Sequence, residues 1–188
     1  MLKLGGVSCN TLLEKCGSPL YVYEEEKIEK QLRDYKNNFK SDKFDTEVLY
    51  ASKAFTCTSM VKKAMEFNCG LDVVSGGELY VAKKAGMDPS KIYFHGNNKL
   101  EDEIIDALKY NVKTLVMDYM YDVEKIIALS EKLDKDVHVL IRINPKVEAH
   151  THEFIMTATG DSKFGISIDL KDEKMEIMSI RVLIDICF

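Results

Sequence analysis

A short apolar run followed by a charged, helix-periodic stretch recurs along this chain, with strand-like starts near Val48, Leu71, Ile92, Thr114 and Val137. Intervals of about 22 residues between starts are the period of successive βα units. The runs Glu47–Tyr50, Leu71–Val74, Lys91–Phe94, Thr114–Met117 and Val137–Ile141 are almost wholly apolar. Strands of that kind arise when helices cover them, so the pattern predicts a parallel sheet. Between them, Ser59–Asn68, Gly77–Ala85, Leu100–Tyr110 and Val123–Leu133 place apolar residues three and four apart, with Lys and Glu on the other face. Ser75-Gly76-Gly77-Glu78 has the Ser-x-x-Glu spacing of a capping box and predicts where the second of these helices begins. Asn68-Cys69-Gly70 and Gly86-Met87-Asp88-Pro89 mark turns.

The ends do not follow the repeat. Leu2–Val7 reads as a strand and tight turn, Ser18–Tyr23 as a second strand, and residues 1–22 are assigned to a layer outside the repeat, with 23–188 as the repeat domain. Met178–Phe188 is strand-like and apolar, and the sequence stops within it, which is unusual for a native terminus. At 188 residues the chain is short for a closed eight-unit barrel, which takes about 250. Five repeat units are too few to close one, and an unclosed set would leave an edge strand exposed.

Charge and cysteine usage narrow the function classes. A formal charge of −5, from 26 Lys+Arg against 31 Asp+Glu, with no basic stripe, argues against a nucleic-acid partner. No apolar run approaches the roughly 18 residues of a membrane span, and Met1–Gly6 lacks the core of a signal peptide. Cys9, Cys16, Cys57, Cys69 and Cys187 are odd in number and form no Cys-x-x-Cys pair, so a reducing cytoplasm is expected rather than a disulfide framework.

Lys53 lies three residues past Tyr50, at the carboxyl end of the first repeat strand, where α/β folds place their reactive groups. Flanked by Ala51, Ala54 and Phe55, its amine is expected to be partly desolvated, which favours the neutral nucleophile that attacks an aldehyde. Position alone leaves open a second reading, a lysine snorkelling from a strand end. His150-Thr151-His152 beside Glu148 could ligate a metal, but no third ligand at metal-site spacing accompanies them, and a loop motif is the preferred reading. Gly76-Gly77 could cradle a phosphate, although helix capping already accounts for Ser75 and Glu78. Lys163 in Ser162-Lys163-Phe164-Gly165 follows a polar loop and is read as positional rather than reactive.

Several ordered motifs then choose between the readings of Lys53. Tyr50-Ala51-Ser52-Lys53-Ala54, Leu71-Asp72-Val73-Val74-Ser75-Gly76-Gly77-Glu78-Leu79, His95-Gly96-Asn97-Asn98-Lys99 and Arg142-Ile143-Asn144-Pro145 resemble the signatures of the fold-type III decarboxylases. Gly17–Tyr23 resembles that family's entry into its barrel, and Ala149–His152 and Lys163–Ile166 extend the likeness. The resemblance runs from about Leu2 to Ile168 and implies an α/β barrel of the alanine-racemase type that binds pyridoxal 5′-phosphate. It implies Lys53 as the covalent anchor of that cofactor, Asp72 and His95 as pocket residues, and Arg142 as the arginine that reaches towards the cofactor's phenolic oxygen. The substrate it implies is a small amino acid, meso-diaminopimelate by the His95–Lys99 and Asn144–His152 stretches, with ornithine or arginine as the alternative. The family forms homodimers with shared active sites.

After Ile168 the likeness fades. The histidine that stacks on the cofactor ring, the later glycine-rich phosphate loop, the carboxylate facing the pyridine nitrogen and the cysteine loop shared across the dimer have no counterpart here. The resemblance therefore implies a truncated form, expected neither to bind the cofactor tightly nor to turn over substrate alone. A non-catalytic fragment that pairs with an intact subunit is the alternative from another class. A flavodoxin-like doubly wound domain would suit five βα units but lacks a Gly-rich fingerprint after the first strand.

Overall fold

The structure is a computed structural model that describes residues 2–144, 165–167 and 184–185. It opens with a two-residue hairpin in which β1 (Lys3–Leu4) pairs antiparallel with β2 (Val7–Ser8) around Gly5-Gly6. Helix α1 (Cys9–Cys16) follows directly, capped by Ser8, whose Oγ accepts from Thr11 N at 3.1 Å. Ser18–Tyr23 is not a strand: the segment has no ladder partner among the described residues, and Tyr23 stacks its ring on Phe55 at 3.9 Å instead. Helix α2 (Glu25–Asn38) comes next and turns Leu32 inward.

From there the repeat governs. Strands β3 (Leu49–Ala51), β4 (Gly70–Val73), β5 (Ile92–Phe94), β6 (Thr114–Met117) and β7 (Val139–Asn144) lie side by side in chain order, each pair parallel. Two further short strands, β8 (Ile166–Ser167) and β9 (Ile184–Asp185), both pair in parallel with β7. Helices α3 (Thr58–Glu66), α4 (Gly76–Ala85), α5 (Glu101–Tyr110) and α6 (Met120–Leu133) are the crossovers. The parallel sheet is the one the repeat predicts, and consecutive parallel strands joined by helices make part of a (β/α) barrel, as the resemblance implies. Among the described residues β3 pairs only with β4, so it is an edge.

Side-chain alternation sorts each strand into two faces. Leu71 and Val73, Ile92 and Phe94, and Leu115 and Met117 point at the helices and are buried with Leu79, Ala82, Ile104, Ala107 and Ile126. Each such Leu, Ile or Phe contributes roughly 1.5–3 kcal/mol by leaving water, which makes this layer the main source of stability. The opposite, inner face carries Ala51, Asp72 and Tyr93 in one register row, since Ala51 pairs with Asp72 and Asp72 with Tyr93. A smaller cluster of Leu32, Met60, Ala64 and Cys69 seals α2 onto α3. That seam is also pinned by Lys63, whose Nζ lies 2.7 Å from Glu25, 2.8 Å from Glu29 and 2.9 Å from Glu66.

Candidate active site

The inner face and the loops that leave the carboxyl ends of the strands gather the polar residues. Lys53 sits in a single 3-10 turn (Ser52–Ala54) directly after β3, Asp72 is the third residue of β4, His95 follows β5, and Arg142 lies in β7. His95 continues the alternation of Tyr93, and its backbone N–H donates to Val73 O at 2.8 Å, so the histidine is held against the end of β4. Its Nε2 stands 3.8 Å from Asp72 Oδ1. The four residues singled out from the sequence thus converge on one mouth.

The electrostatics of that mouth follow from burial. Desolvation pushes the His95 imidazole down to about 4, and the nearby cations Arg142, Lys99 and Lys53 push in the same direction. His95 is therefore neutral at physiological pH, and Lys53 and Arg142 are both near enough for their charges to be felt at its ring. The desolvation expected of Lys53 is not met: the residue is exposed, in the 3-10 turn that follows β3. Arg142 is partly buried, and its Nη1 lies 3.4 Å from Oδ1 of the buried Asp118.

Two glutamates from helix first turns shape the rim. Glu78 Oε2 accepts from Val74 N at 3.0 Å and from Ser52 Oγ, the residue just before Lys53. Ser52 Oγ also lies 2.7 Å from Asp72 O. Ser75 caps α4 as predicted, its Oγ accepting from Glu78 N at 3.3 Å, but the glutamate does not return to Ser75 N to complete the box. It reaches across to the turn after β3 instead, and so satisfies groups of two units at once. Glu103 repeats the device one unit later, accepting from Gly76 N at 2.5 Å and from Leu100 N at 2.9 Å. The Gly76 N–H is thereby occupied, which removes it as a phosphate cradle. Gly96 adopts φ +106°, and a Cβ there would lie 2.8 Å from Val74 O, so only glycine lets the His95 loop pack this closely.

Sequence reasoning passed over Lys99 as a functional side chain, and Asp118 altogether. Lys99 is fully buried, donating to Gly96 O at 2.6 Å and to Val116 O. Asp118 lies two residues past Val116, so strand alternation places it on the same inner face as Arg142, a signal present in the sequence. Glu148, His150, His152 and Lys163 lie outside the described residues, and no group of three metal-ligating side chains occurs among the described ones. No described helix is long and apolar enough to cross a membrane. A groove of about 450 Å³ runs along β3, lined by Tyr23, Ile28, Leu32, Tyr35, Tyr50 and Phe55 among others, and includes none of the polar cluster.

An amine, a neutral imidazole, a carboxylate and a guanidinium on one face make a donor set suited to an anionic aromatic aldehyde. The amine can take the aldehyde carbon, the guanidinium can face an anionic oxygen, and the uncharged ring can lie against an aromatic one. Comparison with known proteins agrees with this chemistry. The chain is 47% identical over 180 residues to diaminopimelate decarboxylase of Staphylococcus aureus (strain COL), spanning 96% of this chain and 42% of that protein. It is 43% identical over 167 residues to the enzyme of the same name from Bacillus subtilis (strain 168), spanning 89% and 38%. Among solved structures, diaminopimelate decarboxylase from M. jannaschii in co-complex with L-lysine superposes with a TM-score of 0.82 at 34% identity, covering 95% of this chain and 44% of that one. The chain thus spans about two fifths of the length of the relatives it matches. Residues 25–184 match the family described as pyridoxal-dependent decarboxylase, pyridoxal binding domain, and the chain belongs to that family.

Proposed function

We propose that this chain is the lysine-bearing part of a pyridoxal-phosphate-dependent decarboxylase that converts meso-diaminopimelate to L-lysine and carbon dioxide. The observation that carries the reading is the placement of Lys53 immediately after β3, at the mouth that also holds Asp72, His95 and Arg142. Support for the substrate comes from relatives that bear the name diaminopimelate decarboxylase. When bound, pyridoxal phosphate supplies an aldehyde for an amine and a conjugated ring that accepts the electrons left when carbon dioxide departs. Lys53 is the residue proposed to hold the cofactor covalently through Nζ. Lys53 Nζ would also be the amine available to move a proton at the reacting carbon. Arg142 offers a cation to an anionic ring oxygen, and His95, kept neutral by burial, offers an uncharged planar surface. Asp72, whose Oδ1 lies 3.8 Å from His95 Nε2, is the further pocket residue proposed here.

Residues 1–22 are assigned to a layer outside the barrel and 23–188 to the barrel portion, a boundary supported by the hairpin's pairing only with itself among the described residues. A homodimer in the cytoplasm is the assembly and place we propose. The test is chemical: the chain is mixed with pyridoxal 5′-phosphate at a concentration high enough to fill a weak site, reduced with borohydride, digested and mapped by mass spectrometry. The adduct is expected on Lys53 and lost in Lys53→Ala; capture at another lysine, or at none, refutes the assignment.

A further inference from the structure

Asp118 is a carboxylate that the cofactor chemistry above does not use, yet it is almost wholly buried, at 1% exposure. A carboxylate withdrawn from water is costly unless donors replace the water, so its partners are informative. Oδ1 accepts from Arg142 Nη1 at 3.4 Å and from Gly165 N at 3.1 Å. A single oxygen therefore joins the end of β6 to β7 and to the residue preceding β8. Lys99 adds a buried cation nearby: its amine bridges Gly96 O and Val116 O, and Asp122 and Asp118 favour its charged form against the opposing effect of burial. Asp118 thus holds one cation at the mouth and acts electrostatically on a second, buried one.

We propose that Asp118 is a positioning residue that fixes the Arg142 guanidinium at the mouth and ties it to the Gly165 turn. A guanidinium gripped through one nitrogen keeps its orientation before any ligand arrives, so an anionic ligand does not have to order it on binding. The inference rests on the reading of this mouth as a pyridoxal phosphate site, and deepens it by naming what aims the arginine.

The experiment is a double-mutant cycle on the whole chain with Asp118→Ala, Arg142→Met and both together, measuring the dissociation constant for pyridoxal 5′-phosphate by calorimetry and the melting temperature without it. Asp118→Ala is expected to weaken binding about tenfold, the scale of one charge-assisted hydrogen bond. The double variant is expected to bind no worse than Arg142→Met, because the aspartate acts through the arginine. Unchanged binding in Asp118→Ala, or losses that add, would overturn the proposal. If Asp118→Ala fails to fold, Asp118→Asn keeps an acceptor for Gly165 N while weakening the grip on the arginine, and is read in the same cycle. The melting temperatures are expected to be non-additive with or without cofactor, and additive melting overturns the pairing. Non-additive melting in a chain that binds no pyridoxal phosphate counts against the proposed function and leaves the pairing standing.

Discussion

Lys63 and Lys99 are two lysines with carboxylates close by, and the protein uses them in opposite ways. Lys63 lies at the seam of α2 and α3, held by Glu25, Glu29 and Glu66, of which Glu25 and Glu66 are largely exposed. The hydrogen bonds it donates, to Glu25 first and then to Glu29 and Glu66, raise its affinity for its proton, and Lys63 in turn lowers that of Glu29. Lys99 is sealed beneath the mouth, where burial works against its charge while Asp122, Asp118 and Glu103 work for it. Water screens the first cluster and is excluded from the second, so similar ingredients give a weak clasp at one place and a rigid electrostatic support at the other.

The largest effect expected from this contrast is at Lys99. Lys99→Met keeps the bulk but strands Gly96 O, Val116 O and the neighbouring aspartates, and is expected to cost about 3–5 kcal/mol in urea unfolding. A loss below about 1 kcal/mol would mean that the mouth is as screened as the seam. Gly96→Ala comes next, at about 1–3 kcal/mol, because a side chain at φ +106° is strained and its Cβ would collide with Val74 O. Melting and the His95 signals in NMR would both register the displaced loop.

The third effect is confined to acid. His95 binds its proton at about 4 in the folded chain, whereas an unperturbed histidine does so at 6.5. Between those values the unfolded chain takes up a proton that the folded chain refuses, so stability falls as pH drops from 6.5 to about 4. His95→Gln is expected to flatten that part of the pH profile and to change little at neutral pH. An NMR titration placing His95 near 6.5 would remove the argument that the mouth is desolvated. The smallest effect is at the seam, where Lys63→Met is expected to lower the melting temperature only slightly. Even that difference should shrink at 1 M salt, where the screening length falls to about 3 Å.

The same contrast explains what could be read before the fold was known. Thr114–Met117 is a strand at the bounds its apolar run predicts, and α4 begins beside Ser75 as its cap predicts. Such features depend on neighbours in sequence, and the chain displays them openly. Helix α2 was hidden because Ile28 and Leu32 are the only clear apolar stripe in a run dominated by Lys and Glu, and the seam that stabilises it involves α3. Lys53, Asp72, His95 and Arg142 were visible as members of ordered motifs. Strand alternation marked the face of Asp118, and Lys99 stood inside the His95–Lys99 motif, but neither signal showed that the charge is sealed from water, which only the third dimension supplies. The exposed setting of Lys53 likewise follows from the turn after β3, which composition does not reveal.

The grip of Glu78 on Ser52 and of Glu103 on Gly76 has an evolutionary corollary. The first two βα units are each aligned by a side chain belonging to the next, so the setting of Lys53 depends on its neighbours as well as on the place where the lysine stands. Exchanging one unit for that of a distant homologue should therefore misalign the reactive amine unless the following unit travels with it.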